Sequence, residues 1–69
     1  MHSSDVLEVA RIGVNIEISE NSPLHSSDAI EVVRIATGRG NHVIIRKQYH
    51  SSALIEMAQI GRDKVTIEV

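Results

Sequence analysis

Apolar residues recur along this chain at two spacings, and the two alternate three times. Val6, Val9, Ala10 and Gly13 fall on one helical face, while Glu8 and Arg11 point the other way. The phrase that contains them returns. His2-Ser3-Ser4-Asp5-Val6-Leu7-Glu8-Val9-Ala10-Arg11-Ile12 is matched by His25-Ser26-Ser27-Asp28-Ala29-Ile30-Glu31-Val32-Val33-Arg34-Ile35. It is matched again by His50-Ser51-Ser52-Ala53-Leu54-Ile55-Glu56-Met57-Ala58-Gln59-Ile60, so that the offsets are 23 and 25 residues. A β-branched run follows each copy: Val14–Ser19, Val43–Lys47 and Val65–Val69. Ile12, Val14, Ile16 and Ile18 alternate strictly and are expected on one face of a strand. Lys64–Val69 alternates likewise, whereas Val43-Ile44-Ile45 is continuous, the pattern of a strand covered on both faces.

Punctuation favours helices for the repeated phrase. Ser-Ser-Asp supplies side-chain oxygens for the free N–H groups of a first turn, and Asp5-x-x-Glu8 and Asp28-x-x-Glu31 resemble capping boxes. Gly13, Gly38 and Gly61 stand where a C′ glycine ends a helix. Helices are therefore expected over residues 4–12, 27–37 and 52–60, with loops at Asn21-Ser22-Pro23, Thr37–Asn41 and Gly61–Asp63. The predicted fold class is α/β: three helix–strand repeats (αβαβαβ) forming one small sheet with helices packed on it. One domain spans residues 1–69, with units 2–24, 25–49 and 50–69. The competing picture is three β-hairpins turning at Gly13, Gly38–Asn41 and Gly61–Asp63. It draws on a composition with 8 Val and 10 Ile against 3 Leu, but it leaves the repeated caps and glycines without a role.

Length sharpens the picture. A chain of 69 residues buries only about 60% of the surface its unfolded form exposes. It has no Cys, Trp or Phe, and Tyr49 is its sole aromatic residue, so neither a disulfide nor aromatic bulk supports the core. A homo-oligomer, or a complex with a protein partner, is the expected remedy. Charge is uneven: residues 1–31 sum to −5, residues 32–55 to +4 and the remainder to −1. Opposite charge at separate places permits head-to-tail or dimer contacts. No apolar run reaches the roughly 18 residues of a membrane span, and no signal-peptide pattern is present. With no cysteine the expected location is cytoplasmic.

Candidate chemistry is sparse. His2, His25 and His50 hold equivalent places, and three histidines can bind zinc. Successive units of a sheet do not surround a three-fold axis, however, so no metal and no other cofactor is expected. The acid-free span from Val32 to Ile55 carries Arg34, Arg39, Arg46 and Lys47, which could contact an anion or the phosphates of a nucleic acid. A pI near 6.0 and the lack of stacking surface weigh against a nucleic-acid partner. Gly38-Arg39-Gly40 matches neither the P-loop nor the dinucleotide fingerprint. No nucleophile–base pair or split carboxylate pair stands out, so no enzyme activity and no catalytic residue is expected.

One segment has a family likeness. Leu24-His25, Ala29, Val33 and Ala36 match the Leu-His pair and the alanine, valine and alanine found four, eight and eleven residues after the histidine in the histidine-containing phosphocarrier (HPr) family. The region from residue 14 to 69 resembles that family, with Val43–Lys47, Ser52–Ile60 and Lys64–Val69 standing for a strand, the second helix and the last strand. The resemblance implies a phosphoryl acceptor at His25, held at a helix N-terminus. The Arg-Pro that follows the family's histidine is Ser27-Asp28 here. The leading expectation remains a non-catalytic α/β scaffold or protein-interaction module that self-associates. The sharpness of its repeats also fits a designed or artificially assembled sequence.

Overall fold

The computed structural model describes all of residues 1–69, and in it helix and strand alternate: α1 (Ser3–Ile12), β1 (Ile16–Ile18), α2 (Ser26–Gly38), β2 (Val43–Ile45), α3 (Ser51–Gly61), a 3-10 turn (Arg62–Lys64) and β3 (Val65–Ile67). The strands form one parallel sheet in the order β1-β2-β3. Ile16, Val43 and Val65 share one row of the register, and Ile18, Ile45 and Ile67 another. Each connection between strands passes through a helix, so right-handed crossovers put α2 and α3 on the same face. α1 lies along the other flank of α2, and the shortest dimension, 16 Å, is that of two layers. The αβαβαβ architecture is thus the one the repeats predict.

Eleven buried apolar residues form the core, four of them on α2 (Ala29, Val32, Val33 and Ala36) and two on β2 (Val43 and Ile45). Small residues on the helices let them approach the sheet closely, and Met57 at 0% exposure fills the space under α3.

Four local expectations are corrected. The N-cap residues are the histidines, not the serines: His2 and His25 are extended just before the first turn, and none of the three histidines or the following serines makes a side-chain cap bond. Each helix therefore begins one residue sooner than predicted. The closing glycines also differ from one another. Gly13 takes a φ of 97° at the end of α1, as a C′ glycine should. Gly38 instead ends α2 within the helix, and the positive φ falls on Gly40 at 83°. Gly61 has an ordinary φ of −90° and is buried; a side chain there would strike Val65. Finally, β2 is covered on one face only. Val43 and Ile45 face the helices, while Ile44 lies half-buried on the opposite face between Glu17 and Thr66. The alternation that joined Ile12 and Val14 to Ile16 and Ile18 also breaks, because Ile12 is the last residue of α1 and is exposed.

Candidate interaction surface

Parallel strands joined by helices bring all three helix N-termini to the edge where the strands end. His2, His25 and His50 lie on that edge, each exposed. His2 and His25 line one shallow dent with Pro23 and Asp28, and His50 does not reach it. No three His, Asp or Glu side chains are grouped as a metal ion would require. Tyr49 braces this edge. Its hydroxyl donates to the Leu24 carbonyl at 2.7 Å, tying the start of α3 to the start of α2. Burial raises the phenol pKa above its ordinary value, and the negative charge of Asp28 adds to the shift.

The helix-free face of the sheet is polar. Arg46 pairs with Glu17 on one side and with Glu68, at 3.4 Å, on the other, so one guanidinium spans all three strands. Toward the strand starts, His42 and Thr66 share a 2.7 Å hydrogen bond, and Asn15 Oδ1 accepts the His42 backbone N–H at 2.9 Å.

The basic segment is dispersed by this architecture. Arg34 is on the outer side of α2, bonded to Glu31 at 2.6 Å. Arg39 follows α2 and lies over Gly13. Arg46 is on the open sheet face, and Lys47 sits 5.8 Å from the centre of the Tyr49 ring. The four cations do not form one patch.

Apolar surface is uncovered at the two outer flanks of the molecule. Ile12 is 66% exposed on α1 and Ile55 is 59% exposed on α3. An apolar groove of about 320 Å³ opens beside the outer edge of unit one, lined by Val6 and Val9 of α1, Ile16 and Ile18 of β1, and Pro23 and Leu24. Sequence reasoning missed these residues singly. The signal was present in the repeat, since Ile12 and Ile55 each align with half-buried residues in the other units.

No protein-family model, curated protein or solved structure matches this chain. No helix is long and apolar enough to cross a membrane.

Proposed function

We propose that this chain is a non-catalytic α/β scaffold, an interaction module whose business is association with itself or with another protein. The observation that carries this is the exposed apolar surface at the outer flanks, Ile12 and Ile55 above all, beside a core of only 11 residues. Covering such surface stabilises by about 25 cal/mol per Å², which matters for a domain with so little interior. The charged groups add support, because Arg34 and Arg46 are already neutralised by partners within the chain.

The phosphoryl-acceptor alternative rests on His25, exposed at the start of α2. Asp28 shares its dent and would oppose an incoming phosphate, and His2 and His50 stand in the same posture without the family pattern around them. The nucleic-acid alternative needs Arg34, Arg39, Arg46 and Lys47 on one surface, and their dispersal favours the interaction module instead. Sedimentation equilibrium from low to high micromolar concentration is the test, with a mass above the monomer expected. A folded monomer throughout, with no protein partner captured by cross-linking, would sink the proposal. Transfer of a phosphoryl group to His25 from a phosphoenolpyruvate-dependent donor system would install the first alternative. Steeply salt-dependent oligonucleotide binding would install the second.

A further inference from the structure

The repeat allows each outer surface to be compared with the same surface inside the stack. Two apolar stripes run along every helix, one on each side of the line that faces the sheet. The following-side stripe is Leu7 and Ala10 in α1, Ile30 and Val33 in α2, and Ile55 and Ala58 in α3. Ala10 and Val33 are fully buried and Leu7 and Ile30 half-buried, because another helix lies against them. Ala58 and Ile55 are exposed. The preceding-side stripe is Val9 and Ile12, then Val32 and Ile35, then Met57 and Ile60. Val32 and Met57 are fully buried and Ile35 and Ile60 half-buried, whereas Ile12 is 66% exposed. So α1 and α3 each present, uncovered, one half of a contact that the molecule makes twice within itself.

The sheet has the same polarity. Ile16 and Ile18 bond toward β2 through N–H and carbonyl groups, so the Glu17 backbone between them points away from the sheet. Just past β3, the Glu68 N–H bonds to the Ile45 carbonyl of β2, which turns the Ile67 backbone outward. The groove of about 320 Å³ lies beside this free edge of β1, where inside the stack a neighbouring unit would place side chains.

We infer that copies of this chain dock head to tail. The α3–β3 edge of one copy seats on the α1–β1 edge of the next, so that helix layer and parallel sheet continue across the junction. The occupant is a second copy because the two uncovered stripes are complementary halves of the α1–α2 and α2–α3 contacts, and because both free strand edges offer backbone groups in the parallel sense. A two-fold dimer would instead pair like edges and run their strands antiparallel. This inference rests on the self-association proposed above and goes further by specifying a heterologous contact, which does not terminate at two copies unless a ring closes.

Ile12→Asp and Ile55→Asp test it, since each leaves the other end intact. In sedimentation velocity the parent chain should grow past a dimer with concentration. Each variant alone should be monomeric, with self-affinity weakened at least about tenfold, and the equimolar mixture should form a dimer and stop there. A mixture that stays monomeric overturns the inference, as does either variant dimerising alone while the parent also associates; in those cases self-association stands and only its head-to-tail form fails. A parent that is monomeric throughout removes both. Far-ultraviolet circular dichroism checks that each variant folds, and Ile12→Ser with Ile55→Ser repeats the experiment if an aspartate variant does not.

Discussion

In α2 four residues are buried, Ala29, Val32, Val33 and Ala36; in α1, built on the same phrase, only Ala10 is. The strands repeat the contrast. β2 buries both Val43 and Ile45, β1 buries Ile18 alone, and β3 buries none of its three residues. Composition does not explain the gap, since Ile45 and Ile67 are the same residue in the same row of the register. What differs is the number of neighbours. The middle unit is covered on both flanks and each outer unit on one, so burial in this molecule follows place in the stack, with Ile18 on the outer strand β1 the exception at 3% exposure.

The sharpest way to break that contrast is to truncate the matched pair. Ile45→Ala should cost about 2–5 kcal/mol, the usual range for a fully buried isoleucine. Because a domain of this size often holds no more than about 3–5 kcal/mol in total, the variant should be largely unfolded in buffer. Ile67→Ala, half-buried at the edge, should cost less than about half as much and shift the urea midpoint without abolishing the transition. Equal losses would mean that the outer units are as well packed as the middle one. Gly61→Ala comes next. Gly13, Ala36 and Gly61 are repeat-equivalent, yet the methyl that Ala36 carries inside the core would strike Val65 at position 61. A loss of about 1–3 kcal/mol is expected from overpacking, read from the same urea titration.

Tyr49 ties the start of α3 to the start of α2 through Leu24, and its contribution should depend on pH. Its folded pKa is raised above the ordinary 10.0, with burial the larger cause and Asp28 the smaller. The neutral phenol is therefore the form the fold prefers. The contribution is complete below the ordinary phenol value and is lost as pH rises through it toward the raised one. Thermal melts should be insensitive to this group up to about pH 9 and fall beyond pH 10. Tyr49→Phe should flatten that fall and cost about 1 kcal/mol at neutral pH for the lost bond to Leu24. The smallest effect is expected at His25. Exposed and without a cap bond, it should tolerate replacement by alanine within about 0.5 kcal/mol, measured by urea denaturation. A larger loss would show that the N-terminal edge does more than begin a helix.

The helices were legible because the repeated phrase carries its own periodicity and stops. Strand register was not. Helix starts recur at 23 and 25 residues, but Ile16 pairs with Val43 at 27 and Val43 with Val65 at 22. The mismatch arises largely because α2 continues through Thr37 and Gly38 before the turn at Gly40, where α1 ends at Ile12. Only the folded register reveals that Arg46 lies between Glu17 and Glu68. The serines misled for a different reason. Three polar residues in a row fit a cap at any of three positions, and the histidine before them took it. The segment from Arg34 to Lys47 read as one basic stretch, yet a helix, a turn and a strand send its four cations to different surfaces.

Strand order that follows chain order also bears on how the molecule is made. During synthesis β2 and β3 each emerge to find a partner already present: β2 needs only β1, and β3 needs only β2. The partners are separated by 27 and 22 residues, a difference worth only about 0.2 kcal/mol in chain-closure entropy. Once β1 and β2 have paired, the sheet can therefore lengthen at one edge as residues leave the ribosome at about 5–20 per second.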